Sequence, residues 1–191
     1  MTRDKEDVPK LLYNNNQTYI VMSKKVLVVV DMQNDFVFGS LANPAAQEII
    51  PSIKSEIESG KYQEVLFTKD THHSDYLNTY EGKHLPIEHC QYQTPGWDVV
   101  DGLKEFSNEN NTILKPTFGF IDWRNVLDEE YDEIVVVGTC TDICVVSNAI
   151  ILHTTFPETK VTVLSSCCAG LTLEKHEAAL SVMESCQINV E

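Results

Sequence analysis

No run of apolar residues in this chain approaches the ~18 that a membrane-spanning helix needs. The first residues also lack the apolar core and small-residue cleavage site of a secretory signal. Positive charge is scarce: 14 Lys and Arg stand against 29 Asp and Glu, a formal net charge of -15. Nucleic acids and anionic membranes are bound through basic patches, so this balance counts against both as partners. Internal repeats and low-complexity tracts are missing too. A second C-x-x-C-like pair that could complete a structural zinc site is also absent.

What remains is the composition of an ordinary globular protein. The chain has 191 residues, 42% of them hydrophobic and 23% charged, enough for one domain with a sizeable core. Its six cysteines are Cys90, Cys140, Cys144, Cys167, Cys168 and Cys186. Most lie in apolar, strand-like or helical surroundings, and a chain this long does not need disulfide staples. Reduced thiols in a cytoplasmic protein are the expectation.

Residues 1–22 are polar and of mixed charge, and are expected to form a mobile extension before a domain spanning 23–191. Continuous apolar runs at Val26–Val30, Val65–Thr68, Thr112–Leu114, Ile134–Val137 and Lys160–Leu164, with Gln187–Val190, predict six strands. Asn43 before Pro44 marks a helix start. That helix is expected to run to about Ser59, where Gly60 stops it. Further helices are expected over 98–106, 122–127, 141–153 and 174–184, with a loop over 165–173. Strands alternating with helices predict an α/β fold, a parallel sheet covered on both faces. Ligands in such sheets bind outside the carboxyl ends of the strands. Asp31, Asp70, Lys115 and the Gly138–Cys144 turn all follow strand ends.

The most informative stretch is Val135-Val136-Val137-Gly138-Thr139-Cys140-Thr141-Asp142-Ile143-Cys144. It predicts a buried strand that breaks at a glycine and restarts as a helix with Cys144 in its first turn. Unpaired N–H groups and the macrodipole at a helix start favour negative charge, so the thiolate is expected to be stabilised there. The same N–H groups can cradle an oxyanion. Lys115 can stabilise the thiolate, and Asp31 can take the thiol proton and pass it to a leaving amine. The bland alternatives are a packing cysteine, a turn aspartate and a solvated lysine.

Val28-Val29-Val30-Asp31-Met32-Gln33-Asn34-Asp35-Phe36, Leu114-Lys115-Pro116-Thr117-Phe118 and Gly138–Val145 occur in the order found in isochorismatase-like cysteine hydrolases. The chain resembles that superfamily over residues 25–190. The resemblance implies a Rossmann-like three-layer sandwich with a six-stranded, mostly parallel sheet and an Asp31, Lys115, Cys144 triad. It also implies a cis peptide before Cys140, the N–H groups of Cys140 and Cys144 forming an oxyanion hole, and a homo-oligomer.

The long segment from Thr71 to Pro95 is rich in His, Asp and Tyr, and structureless loops of this length usually carry function. Its imidazoles and carboxylates suit one divalent metal, Zn with Mn or Fe as alternatives. By resemblance to nicotinamidases the ligands are Asp70, His72 and His89, with Glu81 as a fourth contact and His84 the rival of His89. Phe36 and Phe118 resemble the aromatic walls of that family's ring pocket. The implied activity is metal-assisted hydrolysis of a small amide, nicotinamide to nicotinate and ammonia, through a thioester. A metal-free amidase or ureido-hydrolase, a vinyl ether hydrolase and a silent binding module remain as alternatives.

Overall fold

The protein is described by a computed structural model. It covers residues 23–127 and 131–191, together with the backbone of Lys10–Asn14 and Gln17–Val21. Those two segments, β1 and β2, pair as an antiparallel hairpin inside the stretch expected to be a mobile extension. The rest of that stretch (1–9, 15, 16 and 22) lies outside the described residues.

The body is one sheet of six parallel strands: β3 (Lys25–Val30), β4 (Glu64–Asp70), β5 (Thr112–Lys115), β6 (Glu133–Thr139), β7 (Lys160–Ala169) and β8 (Asn189–Val190). Their order is β5-β4-β3-β6-β7-β8. The helices are α1 (Asn34–Val37), α2 (Pro44–Glu48), α3 (Ile50–Glu58), α4 (Tyr80–His84), α5 (Asp101–Lys104), α6 (Val146–Thr155) and α7 (Leu173–Ser185). None of the described helices is long and apolar enough to cross a membrane.

The apolar runs of β3 and β6 are continuous because both strands are central and covered on each face. Alternate residues face opposite ways. Val26, Val28, Val30 and Val136 pack with Ala149 and Leu152 of α6 and Met183 of α7. Leu27, Val29, Val135 and Val137 pack with Ala46 of α2, Ile53 of α3 and Leu103 of α5. Each fully buried side chain of this size contributes about 1.5–3 kcal/mol.

The chain builds β4 and β5 outward on one side of β3, then returns to add β6, β7 and β8 on the other. The reversal opens a crevice beyond the carboxyl ends of β3 and β6, the place where such sheets bind ligands. Gly138 makes the close approach there. It pairs with Val30, adopts φ 121°, and a Cβ on it would meet the Val30 carbonyl oxygen at 2.1 Å.

Local departures from the expected elements have physical causes. The helix beginning at Pro44 breaks at Ile49, because Pro51 has no N–H to donate and its ring crowds the preceding turn. The expected loop over 165–173 is strand as far as Ala169. There the ladder slips between Val136 and Gly138, so that Gly138 pairs with Cys168. The intervening Ser165 and Ser166 carry none of the β-branched signal by which strands are recognised. The helix behind Cys144 starts as a π-helical turn over Thr141–Val145 before becoming α6.

Gly138→Ala should cost roughly 3 kcal/mol or more, because backbone rather than a flexible side chain must yield. Thr172→Ala removes only the α7 cap that accepts from the Lys175 N–H, and should cost about 1 kcal/mol. Urea denaturation of both variants measures the contrast.

Candidate active site

Three side chains from distant parts of the chain meet at the crevice. Asp31 follows β3 in the left-handed region, φ 50°, and its N–H donates to the Thr68 carbonyl at 3.2 Å. The Thr68 hydroxyl in turn donates to Asp31 Oδ1 at 2.6 Å. Lys115 ends β5, which lies two strands from β3, about 10 Å away at the usual strand spacing. Only a long side chain bridges that gap. Its Nζ lies 2.6 Å from Asp31 Oδ2, 3.8 Å from Asp70 Oδ1 and 3.7 Å from Cys144 Sγ. Nζ also donates to the Thr117 carbonyl at 3.1 Å. Cys144 is carried by the π turn after the cis Thr139–Cys140 peptide, the cis bond that the resemblance implied.

Asp31 and Lys115 are fully buried, and Cys144 is nearly so. Burial pushes the Asp31 carboxyl up, against the pull of the Lys115 ammonium. Lys115 is held charged, since the surrounding negative groups outweigh the cost of burying it. The Cys144 thiol lies well above its ordinary value of 9.0, raised by burial first and then by the Asp31 charge, with Lys115 opposing. This corrects the expectation of a stabilised thiolate: burial and a carboxylate outweigh the helix start. Both influences favour the thiol form of Cys144 next to the Asp31 carboxyl.

The second constellation is Asp70, His72, Glu81 and His89, whose ligand-capable atoms all lie within 4.8 Å of one another. His72 Nε2 is 2.8 Å from Asp70 Oδ2, and His89 Nε2 is 3.5 Å from the same oxygen. Glu81 Oε1 lies 3.7 Å from His72 Nε2 and 3.9 Å from His89 Nε2. His84, the sequence-level rival of His89, is turned onto the Tyr80 carbonyl at 2.8 Å and is not in this cluster.

The donors fit a divalent cation on three counts. His89 Nδ1 is 2.8 Å from the Ile87 carbonyl, which fixes the proton there and leaves Nε2 with its lone pair toward the cluster. His72 Nε2 is buried without a hydrogen-bond partner. The charge points the same way: Asp31, Asp70 and Glu81 face the single ammonium of Lys115, an excess of negative charge that a divalent ion would cancel. Burial and the Asp70 charge accordingly push the Glu81 carboxyl up. Burial also acts to raise Asp70, but the close approach of the His72 and His89 rings and the Lys115 charge outweigh it and hold that carboxyl far down.

Both constellations open into one cavity of about 290 Å³. Asp70, Glu81, His89, Cys140 and Cys144 line it, as do the expected walls Phe36 and Phe118. Leu41, Leu85, Ile143 and Leu171 complete its apolar surface and were not expected, because isolated leucines in loops carry no local signal. Gln33 was also missed as a functional group. Its side chain accepts from the Asp70 N–H at 2.7 Å and donates to the Asp70 carbonyl at 2.9 Å, clamping the backbone that presents the Asp70 carboxylate to the cluster. Asp35 accepts from the Cys90 N–H at 2.8 Å, anchoring the segment that carries His89.

The thiol's surroundings predict its reactivity. Iodoacetamide alkylation of Cys144, read by peptide mass spectrometry, should rise about tenfold per pH unit through pH 8–9, because only the thiolate reacts. In Asp31→Asn one cause of the raised thiol is gone while Lys115 remains, so the pH midpoint should fall. Lys115→Met leaves Asp31 buried beside no cation and should cost about 3–5 kcal/mol of stability.

Comparison with known proteins agrees with this fold. The isochorismatase domain model matches residues 25–191. A nicotinamidase of Saccharomyces cerevisiae is 25% identical, with the match covering 66% of this chain and 80% of that protein. An isochorismatase-like hydrolase from Alkaliphilus metalliredigens is similar in structure, with a TM-score of 0.76 and 27% identity over 88% of this chain and 94% of that one. The pyrazinamidase of Pyrococcus horikoshii, solved in complex with zinc, gives 0.72 and 25% over 88% and 98%. With its order of strands, its crevice and a family model spanning nearly its whole length, this chain belongs to the isochorismatase family and is a hydrolase.

Proposed function

We propose that the protein is a metal-assisted cysteine amidohydrolase that converts nicotinamide to nicotinate and ammonia. One observation carries the reading: Cys144 and three of the four clustered donors line the same small cavity. Its volume of about 290 Å³ suits a single ring-bearing amide rather than a peptide. The nicotinamidase and zinc-bound pyrazinamidase relatives support the choice of substrate and ion.

In this reading Asp31 takes the Cys144 thiol proton as the sulfur attacks the amide carbonyl carbon. The oxyanion is held by the N–H groups of Cys140 and Cys144, at a turn whose first amides have no partner within the helix. Asp31 returns the proton to the amide nitrogen, the C–N bond breaks, and ammonia leaves a thioester on Cys144. Asp31 then takes a proton from water as its oxygen attacks the thioester, which releases the carboxylate and restores the thiol. Lys115 keeps Asp31 ionised at the start of each half-reaction and offsets the charge on sulfur. Asp70, His72, Glu81 and His89 would hold a divalent ion, which when bound supplies a Lewis-acid contact for a ring nitrogen and so orients the amide. Phe36 and Phe118 would flank the ring. The reading extends to a cytoplasmic protein, since all six cysteines carry free thiols, and to a homo-oligomer.

Purified protein supplied with Zn²⁺, Mn²⁺ or Fe²⁺ should release ammonia from nicotinamide, and Cys144→Ala should lower kcat by about 10⁴ or more. Chelation should remove activity and one equivalent of metal together, with both returning on re-addition. A protein that binds no metal yet cleaves aliphatic or N-carbamoyl amides would move the reading to the metal-free amidases.

A further inference from the structure

We propose that Asn148 is a positioning residue for this reaction, its amide locking the Phe118 wall of the cavity onto the turn that carries Cys144. The proposal rests on the amidohydrolase reading above and adds the device that sets the width of the substrate slot.

Asn148 lies in α6, one turn after Cys144, and is fully buried. A buried primary amide must find partners for two N–H donors and a carbonyl oxygen. Its partners are the nucleophile's own peptide and the segment that carries Phe118. Nδ2 donates to the Cys144 carbonyl at 2.8 Å and to the Phe118 carbonyl at 3.1 Å. Oδ1 accepts from the Phe120 N–H at 2.9 Å. These partners also decide the orientation of the amide: two carbonyls need donors and one N–H needs an acceptor, so the flipped arrangement would fail at all three.

The segment so held, from Pro116 to Ile121, is neither helix nor strand. Its near end is tied by Lys115 Nζ to the Thr117 carbonyl, and Asn148 grips it on both sides of Gly119. Gly119 packs against α6, where a Cβ would meet Ile151 Cδ1 at 2.5 Å and Ser147 Cβ at 3.3 Å. Phe118 itself is 46% exposed and lines the cavity, so little apolar packing fixes its ring. The backbone on either side must do it. The amide joins the wall to the nucleophile's own peptide, so a substrate ring resting on Phe118 keeps a set distance from the sulfur.

Asn148→Asp is the sharp test, because it is nearly isosteric and keeps the acceptor for Phe120 while turning a carboxylate oxygen onto two carbonyls. Relative to wild type its KM for nicotinamide should rise about tenfold, with kcat within about threefold. Phe118→Ala should raise KM similarly, and the double variant should be no worse than Phe118→Ala alone, the mark of two changes to one contact. Hydrogen exchange over residues 116–121 should quicken at least tenfold, and iodoacetamide alkylation of Cys144 should stay within twofold. A KM within twofold of wild type, additive effects, or alkylation falling in step with kcat would overturn the proposal. If Asn148→Asp loses its folded circular dichroism spectrum, Asn148→Ser takes its place, and unfolding of both overturns it as well. A wild-type protein silent toward nicotinamide would refute the amidohydrolase reading alone, because the exchange measurement does not depend on turnover.

Discussion

A single buried ammonium holds this site together. Lys115 Nζ lies between the carboxylates of Asp31 and Asp70 and within reach of the Cys144 sulfur, with its residue wholly shielded from solvent. Two carboxylates and a thiol packed so closely would repel one another as soon as the thiol ionised. The ammonium makes their proximity tolerable, and its removal would leave uncompensated charge in a low-dielectric interior. It also joins the two constellations, since Asp31 stands beside the thiol and Asp70 belongs to the cluster of candidate metal donors.

The Cys144 sulfur sits between opposing influences. Burial and Asp31 drive the Cys144 thiol up, while Lys115 pulls it down. In the proposed reaction such a thiol would keep its proton until an electrophile arrives, with Asp31 beside it as the acceptor. A thiol so held would resist stray oxidants, which attack the thiolate.

Much of this was legible in the chain. The β-branched runs of β3 and β6 announce central strands, and the residues at or just beyond strand ends are the ones the crevice gathers: Asp31, Asp70, Lys115 and Cys144. Local patterns express such features well. What they do not express are hydrogen bonds between remote partners. The Gln33 grip on Asp70, the Thr68 hydroxyl on Asp31 and the Asn148 grip on Phe118 and Phe120 join residues 30 or more positions apart, or nearly so. The Cys144 thiol was misjudged for a related reason. A helix-start argument sees only neighbours along the chain, whereas the deciding terms, burial and Asp31, come from the fold.

The position of β5 has a consequence of its own. It is a four-residue strand at the margin of the sheet, bonded along one side only, to β4. Margins fray before centres do. The ammonium that links the site's side chains is therefore mounted on a short marginal strand, while Asp31 and Cys144 follow the central pair β3 and β6. Gentle warming should silence the enzyme by loosening this outer ribbon while the central valine strands, and the bulk of the folded signal, are still intact.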